Sequence, residues 1–395
     1  MTHDARAARA GARVVTGRHT DLVLLTRSLG YGGAETQLVR LAVALAGRGY
    51  RVHVLVFYGG GPLAAPLEAA GVPITALGKR SRWHVAGFLA GLLATLRQLA
   101  PRVVYSFLGT SNVLAALLVP CVPGARLVWS VRASNMDLAR YGWLDRWQFR
   151  LERMLSRIPA RIVVNSRAGA RYAAAQGFPA ARMQIVFNGI DTARYAPDAA
   201  RRAATRRAWG IADDELLIGL VGRLDPMKGH AVFLEAAAAM SRPDVRFVCV
   251  GDGPATRVAA LHAEAGARGL GARFTLLPAQ AETAAVFDAL DVCTSASTFG
   301  EGFPNVVGEA MACGVPCVVS DVGDSAFIVG DTGLVVAPGD AAALAAAWTT
   351  LLGESAAARR RRGEQARERI VANFALDRLV EDTIAALGLT GGIAT

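Results

Sequence analysis

The sequence has almost no lysine, few cysteines and no hydrophobic run long enough to cross a bilayer. Only Lys79 and Lys228 are lysines among its 43 basic residues. Of the five cysteines, Cys313 and Cys317 are spaced C-x3-C, with no second pair and no histidine nearby to complete a site. Buried thiols are therefore expected rather than a disulfide framework or a zinc site. The longest weakly polar stretch, residues 106–122, contains four polar residues and a proline, whereas a spanning helix needs about 20 predominantly apolar residues.

Acidic residues are scarce in the first half of the chain. Residues 1–190 contain 24 Lys and Arg but 7 Asp and Glu, a net charge of +17. Residues 191–395 contain 19 and 25, a net charge of −6. Such an asymmetry indicates two domains with different partners. The basic half is suited to nucleic acid, an anionic membrane surface or an anionic substrate.

The length and the apolar content predict a folded protein of more than one domain. The chain has 395 residues, of which 53% are hydrophobic, so two or three domains are expected. Residues 1–20 are rich in Arg and Ala and lack the apolar core of a secretory signal, so they are interpreted as a disordered leader. Residues 83–96 are apolar with basic flanks. They could lie on a membrane surface, but a helix packed on a sheet gives the same pattern and is favoured.

Apolar strands alternate with helical segments in both halves. The predicted strands lie near residues 21–26, 51–57, 73–77, 102–106, 126–131, 161–165, 185–188, 216–221, 245–251, 274–277, 292–295 and 317–320. This alternation predicts an α/β fold of two facing Rossmann-like domains, each with a parallel sheet. We expect the first domain at residues 21–188 and the second at 189–375, with ligands bound in the cleft between them.

The first candidate site is the turn Gly30-Tyr31-Gly32-Gly33-Ala34-Glu35, between a strand and a helix. Glycines let the backbone approach an oxyanion, and the free N–H groups of a helix N-terminus attract one. The segment is not a G-x-G-x-x-G sequence, and a tight turn without a ligand explains it equally well.

The second candidate is residues 222–229, directly after a predicted strand. Arg223 and Lys228 both lie in this loop, at the sheet edge where ligands bind. Two cations in one short loop suit a diphosphate, because Arg offers a planar fork and Lys a point charge. The sequence is not a P-loop. The alternative is a pair of solvated surface cations.

The third candidate is residues 301–309, where Glu301 precedes a predicted helix and Glu309 lies inside it. Pro304 is expected in the first helical turn, and the N–H groups from Asn305 onward are available to a phosphate. The two carboxylates flank one helix N-terminus and are suited to sugar and ribose hydroxyls. Helix capping and surface ion pairs are the alternative for each Glu taken separately.

Glu301 and Glu309 match the E-x7-E motif of the retaining family 4 glycosyltransferases, which have the GT-B fold, and the sequence resembles that family. Other recurring segments of the family lie here in its order, at residues 32–35, 188–191, 222–229 and 251–254. The resemblance extends from about Asp21 to the end of the sequence.

The resemblance implies that the second domain binds a nucleotide-sugar donor and the first an acceptor. Arg223 and Lys228 would hold the diphosphate and stabilise the charge of the leaving group, Glu301 would bind the donor sugar, and these three are the predicted catalytic residues. Glu309 would bind the ribose. The predicted donor-binding residues are Gly32, Gly33, Arg223, Lys228, Glu301, Gly302, Phe303, Pro304, Asn305, Val306 and Glu309.

The resemblance also implies a retaining reaction without a metal or other cofactor. The co-substrate would be a UDP- or GDP-linked sugar, and the absence of any D-x-D sequence agrees with metal independence. The final helix, near residues 376–387, would return to the first domain together with the rest of residues 376–395.

The sequence departs from the family after the strand 126–131. Many members have a histidine there, whereas this chain has Arg132 in its place, followed by Asn135 and Asp137. A histidine-assisted step is therefore not expected. Arg132, Asn135 and Asp137 are candidates for acceptor or phosphate contacts, with loop structure and helix capping as the alternative.

The resemblance, together with the basic first half, implies a hexosyltransferase that acts on a lipid-linked or growing glycan in polysaccharide assembly. The protein is expected in the cytoplasm. An anionic membrane surface, at the inner face of the plasma membrane, is expected as a further partner. A GT-B sugar phosphorylase or a nucleotide-sugar epimerase is the alternative. A nucleic-acid-binding protein is more distant, because no helix-turn-helix, zinc finger or RNP sequence is present, and no nucleic-acid partner is expected.

Overall fold

The first half of the chain folds into a seven-stranded parallel sheet in a computed structural model that describes residues 20–79, 85–132 and 142–389. The strands are β1 (Leu22–Thr26), β2 (Val52–Val56), β3 (Ile74–Ala76), β4 (Val103–Phe107), β5 (Arg126–Val131), β6 (Arg161–Val164) and β7 (Met183–Ile185). Their order is β3-β2-β1-β4-β5-β6-β7. The central strands β1 and β4 are buried along their whole length, since helices cover both faces.

Six α-helices of the described residues accompany this sheet. They are α1 (Gly33–Gly47), α2 (Ala64–Ala69), α3 (Val85–Leu99), α4 (Gly109–Leu118), α5 (Trp143–Leu155) and α6 (Arg167–Ala175). Helix α3 buries Phe88, Leu92 and Leu96 at i, i+4 and i+8 in the core of the first domain. The helix therefore packs on the sheet, as the favoured interpretation of residues 83–96 required.

The second half contains a six-stranded parallel sheet. Its strands are β8 (Leu216–Val221), β9 (Val245–Val250), β10 (Phe274–Leu277), β11 (Val292–Ser295), β12 (Cys317–Ser320) and β13 (Leu334–Val336), in the order β10-β9-β8-β11-β12-β13. Its helices are α7 (Ala199–Ala208), α8 (His230–Ala239), α9 (Ala255–Ala267), α10 (Thr283–Ala289), α11 (Asn305–Ala312), α12 (Ser325–Val329), α13 (Ala341–Gly353) and α14 (Ala356–Phe374). The prediction of two Rossmann-like α/β domains is confirmed.

Each sheet has one point at which the strand order reverses. In the first sheet it lies between β1 and β4, and in the second between β8 and β11. Loops that leave adjacent strands in opposite directions open a crevice there, which is where ligands bind in open α/β sheets. The glycine turn at residues 30–33 follows β1, and the segments at 222–229 and 297–305 follow β8 and β11.

The chain passes between the domains at two places that lie side by side. Ile190 donates its N–H to the carbonyl of Phe374 at 2.8 Å and accepts from the N–H of Leu376 at 2.9 Å. The last helix, α15 (Leu376–Leu387), then packs on α1, and its Val380 and Leu387 lie in the same core as Leu41. No helix of the described residues is long and apolar enough to cross a membrane.

Some short elements differ from the sequence-based expectation. Helices α2, α6, α7 and α12 and strand β13 were not predicted. Strand β7 ends at Ile185 instead of extending to 188, because Phe187 turns away from the sheet to pack on Phe303 and Phe374, with ring centroids 6.2 and 5.5 Å apart.

Candidate active site

Lys228 and Glu301 meet at the switch point of the second sheet. The Nζ of Lys228 lies 2.5 Å from Oε1 of Glu301, which also accepts from the Oγ of Ser297 at 2.8 Å. Lys228 follows β8 and Glu301 follows β11, so neighbouring strands carry the two residues. Their side chains are 17% and 8% exposed, which strengthens the interaction relative to a surface pair.

The backbone fixes Lys228 in this place. A single 3-10 turn, Pro226–Lys228, starts at Asp225, whose carboxylate accepts from the N–H of Met227 at 2.9 Å. Gly229 follows with φ +68°, and a Cβ there would lie 1.9 Å from the carbonyl oxygen of Ala296. Only glycine permits both the left-handed conformation and this close approach.

Arg223 differs from Lys228 although both belong to one loop. Its side chain is exposed and makes no hydrogen bond or ion pair with any residue that the structure describes. Its guanidinium is therefore available to an anion, but the structure does not place it beside Glu301.

His230 follows this loop as the first residue of α8 and is buried. Burial lowers its pKa to about 4, with a further contribution from Arg257. The imidazole is thus neutral near pH 7 and adds no positive charge beside Lys228.

Asn305 joins the helix α11 to the first domain. Its Nδ2 donates to the carbonyl of Gly33 at 3.4 Å, and its Oδ1 accepts from Asn188 at 2.7 Å and from Gln37 at 3.4 Å. The two glycine-rich segments predicted to surround the donor are therefore in contact across the domains. Pro304 precedes the helix as its N-cap residue, so its expected place inside the first turn was wrong by one position.

Three neighbouring predicted residues offer backbone rather than side chains to the cleft. Phe303 is buried among Phe187 and Phe374, and Val306 packs on the same core. A Cβ on Gly302 would lie 2.8 Å from Oδ1 of Asn165, so the first domain approaches closely here.

Gly32 is the N-cap residue of α1, with an extended backbone. A Cβ on it would lie 2.2 Å from Oε2 of Glu35, so the Glu35 side chain lies back over the turn. The anion-binding role predicted for this turn would require that carboxylate to move.

Glu309 forms a buried ion pair with the first domain. Its Oε1 lies 3.1 Å from a guanidinium nitrogen of Arg40, which also donates to the hydroxyl of Tyr195 at 3.3 Å. Arg40 belongs to α1, so the pair joins α1 to α11. Burial raises the pKa of Glu309, and Arg40 lowers it by less.

Arg132 points along the interface between the domains. It donates to Oγ of Ser130 at 2.7 Å and to Oδ1 of Asn188 at 2.8 Å, and it lies over the ring of Phe107 with 4.6 Å to the centroid. Asn188 in turn donates to Asn305, the first residue of α11, so Asn188 links Arg132 to that helix. Asn135 and Asp137 lie outside the described residues.

A cavity of about 340 Å³ opens between the domains beside the donor segments. Its lining includes Arg171 and Tyr172 of α6 on one side and Thr298 and Asp321 on the other. Asp324 holds this region together, because its carboxylate accepts from the N–H groups of Arg167 and Ala168 at 2.6 and 2.8 Å. The N-terminus of α6 is thus capped by the other domain.

The contributors to this arrangement that were not predicted from the sequence include Gln37, Arg40, Tyr195, Ser297 and Asp324. Ser297 stands four residues before Glu301 on the same loop, so its proximity was available as a signal. Arg40 and Glu309 are 269 positions apart, and nothing in the local pattern of α1 marks one arginine among 41.

A buried carboxyl on the first domain gives a pH prediction. Glu152 accepts from Nδ2 of Asn112 at 2.8 Å, and burial raises its pKa above the ordinary 4.5. The folded protein therefore binds this proton more tightly than the unfolded chain does. The contribution of the carboxyl to stability is full at low pH and is lost as the pH rises from about 4.5 through the raised pKa. Glu152→Gln should therefore be the more stable protein near pH 8, by about 1 kcal/mol, with a smaller gain near pH 5.

Urea unfolding of both proteins at the two pH values measures this difference. Glu68→Gln is the matched control, since Glu68 is exposed on α2 of the same domain. An equal effect of Glu152→Gln at both pH values would show that the protonation of this carboxyl does not change between them, which would contradict the prediction.

Among the residues that the structure describes, no three His, Cys, Asp or Glu side chains converge as a metal site would require.

The sequence matches two family models in succession. Residues 31–194 match the model described as Glycosyltransferase Family 4. Residues 215–354 match the model described as Glycosyl transferases group 1. The two ranges correspond to the two sheets and together cover most of the chain.

Curated relatives include D-inositol 3-phosphate glycosyltransferases of Mycobacterium tuberculosis and Mycobacterium bovis. They are 33% identical over 233 residues, which is 57% of this chain and 48% of theirs. The match thus spans about half the length of these relatives.

Solved structures share the whole architecture. HepE of Anabaena, in complex with UDP and glucose, has a TM-score of 0.84 at 23% identity and covers 94% of this chain and 100% of that chain. Sucrose-phosphate synthase from Thermosynechococcus elongatus has a TM-score of 0.79 at 21% identity, with 92% and 97% covered. At these identities the likeness establishes the two-domain fold.

Proposed function

Because the chain belongs to glycosyltransferase family 4 and has the GT-B fold, we propose that it is a retaining, metal-independent glycosyltransferase that uses a nucleoside-diphosphate sugar. The donor lies in the cleft on the second domain, and the acceptor approaches from the first. The sugar is moved to a lipid-linked or growing glycan.

The contact between Lys228 and Glu301 carries this proposal. A cation and a carboxylate, held 2.5 Å apart at the strand switch point, present opposite charges to the two halves of one donor. The ammonium has two N–H groups besides the one that faces Glu301, and these would donate to the diphosphate, while the carboxylate of Glu301 would accept from sugar hydroxyls. A structural ion pair alone has no need of the switch point or of Arg223 in the same loop.

The reaction requires charge stabilisation where the bond breaks. When the bond from the sugar C1 to the phosphate oxygen breaks, its electron pair stays on the diphosphate. Lys228, Arg223 and the N–H groups that begin α11 would stabilise that charge in place of a metal ion. The acceptor oxygen bonds to C1 on the same face, and its proton passes to the leaving phosphate, so no protein base is needed.

Helix α11 would also contact the nucleoside part of the donor. Glu309 would accept from a ribose hydroxyl, with Arg40 holding its carboxylate in place. We favour a UDP-linked donor over a GDP-linked one, because HepE is described in complexes with UDP and with UDP-glucose.

The acceptor would enter through the first domain. In this proposal the acceptor contacts the cavity that Tyr172 lines. It also contacts Arg132, which belongs to the same domain. The net charge of +17 over residues 1–190 suits an acceptor that bears phosphate, presented at the cytoplasmic face of an anionic membrane.

A thermal-shift screen tests the donor site. Ligands that bind only the folded protein raise Tm according to their concentration over Kd. We expect one nucleoside diphosphate among UDP, GDP, ADP and CDP to raise Tm by a few degrees, equally with and without EDTA. The shift should become smaller in Lys228→Ala, which removes one of the cations that would hold the diphosphate.

Arg207→Ala is the matched control, since Arg207 is exposed on α7 and makes no side-chain contact with a described residue. A shift that needs a divalent ion would contradict metal independence. No shift with any nucleotide would contradict the donor site and favour a phosphorylase.

A further inference from the structure

The outer face of α5 exposes more large apolar side chains than its position on a folded domain requires. Trp143, Leu144, Trp147 and Met154 are 66%, 61%, 60% and 64% exposed, and Ile158 in the following turn is 42% exposed. Single exposed apolar residues are ordinary, but a contiguous group that includes two tryptophans indicates an interaction surface.

A row of four arginines lies beside this apolar group. Arg146, Arg150, Arg153 and Arg157 follow one another at i, i+4, i+7 and i+11, and all four are exposed. The first three lie on α5, where this spacing forms one stripe, and Arg157 follows in the turn after the helix. None of the four forms an ion pair with a residue that the structure describes. The guanidinium of Arg150 lies over the ring of Trp147, 5.4 Å from its centroid.

The opposite face of α5 is anchored in the first domain. Phe149 packs on Phe178 with ring centroids 5.9 Å apart, and Leu155 lies against the same core. Glu152 and Ser156 are buried. The apolar and cationic stripes are therefore held outward, because a rotation of the helix would expose this inner face.

We propose that these nine residues, the α5 surface, dock on an anionic lipid bilayer. Lipid headgroups and acyl chains satisfy both stripes at once: tryptophans sit at the membrane interface, Leu and Met enter the acyl boundary, and arginines bind anionic headgroups. A glycan would stack on the tryptophans but would leave Leu144, Met154 and four arginines without partners.

The position of the α5 surface relates docking to the cleft. Helix α5 connects the parallel strands β5 and β6, so it runs antiparallel to them and begins at the carboxyl edge of the sheet. Trp143 and Trp147 therefore lie at the edge that carries the glycine turn and Arg132. Docking would bring the mouth of the cleft to the bilayer. The relevance of this placement to catalysis rests on the function proposed above, whereas the docking itself does not depend on that function.

Vesicle sedimentation tests the α5 surface with the full chain. We expect binding to phosphatidylcholine vesicles with about 30% phosphatidylglycerol, and far less to pure phosphatidylcholine. Binding should weaken between about 0.05 M and about 1 M salt, where the Debye length falls to about 3 Å. Arg146→Gln with Arg150→Gln should weaken it roughly 25-fold, at about fivefold for each arginine.

The apolar stripe is tested separately. Trp143→Ser with Trp147→Ser should lower the affinity on the order of tenfold or more, through lost apolar burial. Arg207→Gln with Arg361→Gln removes the same charge from exposed positions of the second domain and should change nothing. Each variant should retain the Tm of the parent, because all the changed side chains face solvent.

Any of four results would overturn the proposal. The parent binds neutral and anionic vesicles equally, or it binds neither. The tryptophan variant binds vesicles as the parent does, or it keeps vesicle binding but loses affinity for a soluble glycan. If vesicle binding behaves as expected while no nucleotide raises Tm, the docking surface stands and the transferase function fails.

Discussion

Lys228→Ala is expected to lower kcat by about three orders of magnitude, with a smaller effect on the affinity for the donor. The ammonium would stabilise charge that develops mainly after the bond to the diphosphate starts to break, so its loss acts on the transition state more than on the ground state. The change also leaves Glu301, 8% exposed, without the ammonium that faces it. That carboxylate would repel the diphosphate.

Release of nucleoside diphosphate, measured with the donor that the thermal-shift screen selects, gives kcat and KM for each variant. The double variant Lys228→Ala, Glu301→Gln separates the two causes. If repulsion by Glu301 dominates, the second change restores part of the rate, whereas loss of charge stabilisation leaves the double variant as slow as the single one. A kcat for Lys228→Ala within tenfold of the parent would remove Lys228 from the catalytic residues.

Arg40→Met is expected to destabilise the protein by about 3–5 kcal/mol near neutral pH. The change removes the guanidinium that lies 3.1 Å from the buried carboxylate of Glu309. Arg48→Met is the matched control, at the C-cap of the same helix. Its partner Asp377 is 85% exposed, so that pair contributes little.

The pH dependence of this variant has a definite sign. Burial already raises the pKa of Glu309, and without Arg40 the pKa rises further. A carboxyl with a raised pKa in the folded protein favours folding at low pH, so the deficit of Arg40→Met should shrink as pH falls toward about 4.5.

Urea unfolding as a function of pH measures both effects. The double variant Arg40→Met, Glu309→Gln should recover much of the loss at neutral pH, because no buried charge remains. A deficit that is the same at all pH values would mean that lost packing, and not the unpaired carboxylate, is its cause.

The contrast between Lys228 and Arg40 indicates what could be predicted from sequence. Strand periodicity placed the loop of Lys228 and the loop of Glu301 at the ends of buried strands, and parallel sheets align such ends at one edge. Both loops were therefore expected at the ligand-binding edge, whereas the direct contact between Lys228 and Glu301 was not predicted. The family resemblance supplied the roles.

Arg40 and Tyr195 could not be found in this way. Arg40 lies on a helix whose pattern specifies only which face is buried, and its partner belongs to the other domain. Which pairs of residues meet there depends on the angle between the domains, which no periodicity encodes. The short helices α2 and α12 were missed for a related reason, because five or six residues are too few to show a helical period.

The packing of α15 on α1 has a consequence for synthesis of the chain. The core of the first domain receives Val380 and Leu387 from the last described helix, so the apolar face of α1 around Leu41 stays uncovered until the ribosome has passed residue 387. The domain that is translated first is thus among the last parts to be completed. During that interval the second domain can fold beside an unfinished neighbour, and a chaperone that binds exposed apolar helices would find its site on α1.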